Sequence, residues 1–90
     1  MKTLDDASVD TMIASAQFEG EHAALGDLRI GADPKLDDEE RRDFDYWLRS
    51  YDDDAAALGR LSEADRARVY AAGWEAYCAK IRQAQAARRS

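Results

Sequence analysis

Apolar residues recur along this chain every three or four positions, the period of an amphipathic helix, and the two-residue alternation of a half-buried strand is absent. Val9, Met12, Ile13, Ala16, Gly20, Ala23 and Ala24 fall within one stripe at 100° per residue. That stripe predicts a first helix over about residues 6–25, with Gly26 as its stop. A connection from Asp27 to Leu36 follows, containing the only proline, Pro34. Two apolar residues in it, Leu28 and Ile30, are expected to pin it to the core.

The second helix is predicted over residues 37–58. Asp37 has the character of an N-cap, Glu40 stands three residues on as its capping-box partner, and Asp38 and Glu39 place further acids where the helix dipole favours them. Phe44, Trp47, Leu48, Tyr51, Ala55 and Leu58 then share a core-facing sector before Gly59. A third helix is predicted over residues 62–87, opened by Ser62 with Asp65 three residues later. Its apolar sector is wide, with Val69, Ala72, Gly73 and Ala76 on one flank and Tyr70, Trp74, Tyr77 and Ile81 on the other. One flank can serve each neighbouring helix, or the aromatic flank can pair two copies of the chain.

These elements make an all-α protein, a compact three-helix bundle in a single domain spanning residues 1–90, joined by the short connections that bundles use. The small residues Ala16-x₃-Gly20-x₃-Ala24 and Ala72-x₃-Ala76 beside Gly73 predict a close approach of backbones where the first and third helices cross.

Composition changes the picture in one respect. Hydrophobic residues make up 46% of the chain, with two Trp, four Tyr and two Phe, so it lies outside the disordered class despite 36% charged residues. The net charge of −6 is unevenly placed. Residues 1–59 hold 16 Asp and Glu against 6 Lys and Arg, whereas residues 60–90 hold 3 against 7. The acidic part repels phosphate and disfavours direct binding of nucleic acid. No apolar run reaches the ~20 residues of a membrane span, and the N-terminal residues lack the apolar stretch of a signal peptide. The expectation is a cytoplasmic protein that does not engage a membrane.

Catalytic and metal-binding constellations are not in evidence, and no cofactor is expected. Asp37-Asp38-Glu39-Glu40 and Asp52-Asp53-Asp54 are consecutive, so on a helix they point 100° apart and cannot converge on one ion. Glu19-x-x-His22 has the spacing of half a di-iron site, but the matching second pair is missing and His22 is the only histidine. Cys78 is a lone cysteine in a helical pattern, which reads as a small packing residue. No glycine-rich phosphate loop or nucleophile–base pairing can be assembled from the spacings, so the chain is not expected to be an enzyme.

Residues that the bundle does not require point to binding. On the second helix Tyr46 lies opposite the core stripe, flanked on its outward face by Glu39, Asp43, Ser50, Asp53 and Asp54. An aromatic among carboxylates is a candidate interface anchor. On the first helix Phe18, His22 and Leu25 form a smaller outward apolar strip, and with Trp74 they make a second candidate interface. Leu28 and Ile30 would cover that strip if the connection folded back.

Ala16-Gln17-Phe18-Glu19-Gly20-Glu21-His22-Ala23, Trp47-Leu48-Arg49-Ser50-Tyr51 and Tyr70-Ala71-Ala72-Gly73-Trp74 resemble small bacterial and phage proteins related to ribosome modulation factor. There an alanine-x₃-glycine helix is followed by tryptophan-x₂-glycine-aromatic; here Ser50 stands at the glycine position. The resemblance implies a ribosome- or RNA-associated factor, for which the basic third helix offers Arg60, Arg66, Arg68, Lys80, Arg82, Arg88 and Arg89. The matching region is acidic, whereas ribosome modulation factor is basic. A small acidic helical chain also looks like phage anti-defence proteins such as anti-CRISPRs. That second likeness implies an inhibitor whose acidic face occupies the basic, nucleic-acid-binding groove of a partner protein. An antitoxin-like or structural homo-oligomer, paired through the third helix, is the remaining expectation.

Overall fold

A computed structural model of the chain describes residues 6–50 and 59–89, and among them are three helices and no strand. These are α1 (Asp6–Arg29), α2 (Asp38–Arg49) and α3 (Glu63–Arg89), arranged as a three-helix bundle. At 1.5 Å per residue α1 and α3 are rods of about 36 and 40 Å, and the bundle is elongated, 53 × 20 × 20 Å.

The order of contacts fixes the topology. Ala16 faces Gly73, Gly20 faces Gly73 and Tyr77, Asp27 reaches Tyr77 and Asp33 reaches Gln85, so α1 and α3 run parallel. Phe44 meets Trp74 and Tyr77 in tilted ring contacts while Leu48 meets Gly73, so α2 runs against them. The core is the junction of these faces: Val9, Ala16 and Ala24 from α1, Phe44 and Leu48 from α2, and Val69, Tyr77, Cys78 and Ile81 from α3, closed at one end by Leu61. Met12, Ile13, Ala23, Trp47, Tyr70 and Trp74 pack on its margin. The predicted stripes of α1 and α3 are therefore the buried faces. Tyr51, Ala55 and Leu58 of the predicted α2 stripe lie outside the described residues.

Gly20 and Gly73 set the distance between the two long helices. A Cβ on Gly20 would overlap the Gly73 carbonyl oxygen and come within 3.2 Å of the Tyr77 nitrogen; one on Gly73 would sit 3.2 Å from the Ala16 oxygen and 3.3 Å from the Phe44 ring. Backbone meets backbone there, which only small residues allow.

Three boundaries differ from the sequence reading. Gly26 does not end α1: the helix passes through it and continues to Arg29. The stop lies at Gly31, whose φ of +79° suits glycine. The Ala32 N–H donates to the Asp27 carbonyl at 2.9 Å and the Gly31 N–H to the Leu28 carbonyl at 3.1 Å, the paired bonds of a Schellman cap. Glycine inside a helix costs roughly 1 kcal/mol relative to alanine. Leu28, packed on the core, and Asp27, bonded to Tyr77, offset that cost. Ile30 is 80% exposed and does not pin the connection; Leu36 does so instead, half-buried against the core despite a left-handed φ of 59°.

The second correction concerns α2, which ends at Arg49 and not at Leu58. The Ser50 N–H is shared between the Tyr46 and Trp47 carbonyls at 3.1 Å each, tightening the last turn. The Ser50 hydroxyl also donates to the Tyr46 carbonyl at 2.8 Å. Aspartates at positions 52–54 follow in sequence, and acids are disfavoured at the negative end of a helix. The third difference is small: α3 starts at Glu63 and runs to Arg89. Both predicted caps form, with the Glu40 N–H donating to the Asp37 carboxylate at 3.0 Å and the Asp65 N–H to the Ser62 hydroxyl at 3.1 Å.

The glycines of this fold separate by sign. Gly20→Ala is expected to destabilise the protein by about 1–3 kcal/mol, because two backbones must part. Gly26→Ala, with open space around its Cβ, is expected to stabilise it by about 0.5–1 kcal/mol. Gly31→Ala forces a side chain into the left-handed region and is expected to cost about 1 kcal/mol. Urea denaturation of the three variants checks the order.

Candidate functional site: an acidic groove beside α2

The helix period gathers carboxylates on one side of the bundle. Glu40, Asp43, Phe44 and Trp47 recur at the three- and four-residue spacings that share a face of α2. Ala23 and Asp27 lie one turn apart on α1. Together with Tyr77 of α3, these six residues line a cavity of about 200 Å³. Its walls are aromatic and its margin is acidic. A second depression of about 290 Å³ is lined by Asp33, Lys35, Asp37, Glu39, Glu40 and Asp43. The two share Glu40 and Asp43, so they adjoin between the end of α1 and the second turn of α2 and are together termed the groove.

The charges in this groove are largely uncompensated. Among the described residues the ion pairs are Arg41 with Asp45, at 3.9 Å, and Arg68 with Asp65, at 3.4 Å. Neither involves a carboxylate of the groove. Asp33 accepts a hydrogen bond from the Gln85 amide at 2.9 Å, and Lys35 is the one basic side chain in the lining among the described residues.

Tyr77 closes the cavity from beneath. Its residue is 4% exposed, and its hydroxyl donates to the Asp27 carboxylate at 2.5 Å. Burial, then the bond to Asp27, then the charges of Asp27 and Glu40 push the phenol far above its ordinary range. It therefore stays a neutral donor. Asp45 lies elsewhere on α2; burial raises its carboxyl, opposed by Arg41 and Arg49, and its Oδ1 has no hydrogen-bond partner among the described residues. Cys78 is 4% exposed, and burial pushes its thiol up, away from the reactive thiolate.

The residues singled out in the sequence are dispersed by the structure. Glu39 and Asp43 lie together in the groove. Tyr46 is 67% exposed, and its ring carries the Arg49 guanidinium at 5.6 Å, so a cation as well as acids flanks it. Ser50 is committed to the C-terminal cap of α2. Asp53 and Asp54 lie outside the described residues. Phe18 and Leu25 are exposed on α1, and Phe18 stacks with His22 at 5.8 Å. The connection does not fold back over them. Trp74 is packed against the core in ring contact with Phe44 and Tyr77.

Sequence reasoning missed Asp27, Asp33, Asp37, Glu40 and Tyr77 as groove residues. Asp27 falls in the connection when Gly26 is read as the helix stop, whereas α1 runs on to Arg29. Extending α1 by one turn places Ala23 and Asp27 on one face. Among the described residues no three His, Cys, Asp or Glu side chains are placed to share a metal ion, and no helix is long and apolar enough to cross a membrane. No family model, curated protein or solved structure matches the chain.

Tyr77→Phe keeps the ring and removes the bond to Asp27, with an expected loss of about 1–2 kcal/mol at neutral pH by urea denaturation. The bond also predicts a pH dependence. A phenol raised in the folded state contributes stability that is fully present below its unfolded pKa near 10 and is lost as pH rises beyond it. The wild-type protein should lose stability above about pH 10 more steeply than Tyr77→Phe, so the two denaturation curves converge at high pH.

Proposed function

We propose that this protein is a non-enzymatic binding module, an inhibitor or adaptor, whose acidic groove occupies a basic nucleic-acid-binding surface on another protein. The observation that carries this reading is the pair of adjoining depressions lined by Asp27, Asp33, Asp37, Glu39, Glu40 and Asp43, none of them in an ion pair among the described residues. Carboxylates that the bundle does not neutralise internally are available to a basic partner. In a concave setting their fields add, which speeds association and rejects acidic partners.

Such a groove imitates a phosphate backbone in charge and not in shape. Its rim steers the encounter, while desolvated contacts deeper in set how long the complex lasts. The aromatic walls of the cavity supply those contacts. Mimicry of this kind also accounts for the uneven charge of the chain, in which residues 1–59 hold 16 Asp and Glu against 6 Lys and Arg.

The test is capture of partners from the native host by the tagged wild-type chain and by a Glu39→Lys, Asp43→Lys double variant, followed by affinity measurement with the purified partner. The expected result is a nucleic-acid-binding protein whose affinity falls by about tenfold or more in the double variant at low salt, with helical circular dichroism unchanged. Affinity that is insensitive to both the substitutions and salt overturns the proposal. Recovery of ribosomes or RNA by both forms transfers the function to the arginines of α3.

A further inference from the structure

The cavity lined by Ala23, Asp27, Glu40, Asp43, Phe44, Trp47 and Tyr77 holds more information than the acidic rim around it. At about 200 Å³ it is smaller than the roughly 300–1,000 Å³ of pockets that enclose whole small molecules, and its scale suits one side chain. Three carboxylates reach it from two helices, no basic side chain among the described residues lines it, and the Tyr77 hydroxyl is already engaged with Asp27. The occupant must therefore bring positive charge and hydrogen-bond donors. It must also tolerate apolar walls, since Phe44, Trp47 and the Ala23 methyl leave part of the surface unable to replace lost water.

The geometry points to this cavity as the receptacle for a single arginine side chain of the protein partner, an inference that rests on the acidic groove being a protein-binding surface. A guanidinium is planar, weakly hydrated and suited to stacking on aromatic rings, and its fork of donors can engage carboxylates on two sides. The lysine ammonium is a compact, strongly hydrated charge and loses more on entering an aromatic-walled site. Arginine inserted in a water-excluding pocket is also a common form of interface anchor. The adjoining depression with Asp33, Asp37 and Glu39 then acts as the approach, and the cavity as the anchor.

The experiment uses the full ¹⁵N-labelled chain titrated with N-acetyl-arginine amide, N-acetyl-lysine amide and the uncharged isostere N-acetyl-citrulline amide, followed by amide and indole chemical shifts. The arginine probe should shift the Trp47 indole and the Ala23, Asp27 and Asp43 amides in a saturable way. Lysine should bind about tenfold more weakly, and citrulline more weakly still. Glu40→Gln should weaken the arginine probe several-fold by removing one carboxylate. Ala23→Leu, a helix-compatible change that fills the cavity and alters no charge, should abolish saturable binding while the helical spectrum persists. Equal binding of citrulline or lysine, unchanged binding to Ala23→Leu, or shifts confined to Asp33, Asp37 and Glu39 overturns the arginine assignment. Such a result leaves the broader reading standing if partner capture still depends on Glu39 and Asp43. Saturable arginine binding without charge-dependent capture has the opposite meaning.

Discussion

The close approach of α1 and α3 at Gly20 and Gly73 is the constraint on which the rest of the structure depends. Two helices whose carbonyls and amides nearly touch cannot slide or rotate without collision, so the crossing fixes their register. Once Gly73 is held against Ala16, the next turn of α3 places Tyr77 beneath Asp27, and the following turns bring Gln85 to Asp33. Gly73 also receives Phe44 and Leu48 of α2 on its other side, so all three helices meet at one glycine. A thin core, expected of 90 residues, gains definition from this point more than from bulk, since Ile81 is the only large side chain among the described residues with no exposed surface at all.

The groove follows from that register. Small residues draw α1 and α3 together, and α2, antiparallel and only 12 residues long, crosses the pair with its aromatic face inward. Its Phe44 ring is inserted near both Trp74 and Tyr77, leaving a cavity on the flank where Ala23 is too small to fill the space. Stripping the side chain from the helix contact to bring the backbones close also leaves a hollow one turn away. The aromatic cluster that closes the core thus supplies the walls of the candidate site.

The helical class, the stripes of α1 and α3, both N-caps and the small-residue crossing were legible because each is a local pattern with a local cause. Periodicity identifies the buried face, and a side-chain oxygen three residues ahead of a free amide identifies a helix start. The ends of helices were less legible. Gly26 and Gly31 are the same residue type five positions apart, and the choice between them is made by Tyr77, fifty positions further along, which holds Asp27 in an added turn. Ser50 is compatible with a helix interior, and its capping role depends on a hydroxyl rotamer. The candidate site was legible only in its charge. Glu39 and Asp43 were found from the pattern of α2, whereas Asp27 and Tyr77 join them through tertiary register, which no window of the sequence contains.

The acids of the groove divide into those tied to the fold and those that are not. Asp37 caps α2, and Asp38, Glu39 and Glu40 lie in its first turn, where a negative charge stabilises the exposed amides. Such carboxylates have a structural reason to be there, whatever else they do. Asp43 lies beyond that turn, where the dipole effect has decayed, and it has no ion pair among the described residues. It belongs to both depressions of the groove. Helix chemistry therefore accounts for most of the acidity at the start of α2 but not for Asp43. A charge that the fold does not require thus stands at the junction of the outer depression and the aromatic cavity.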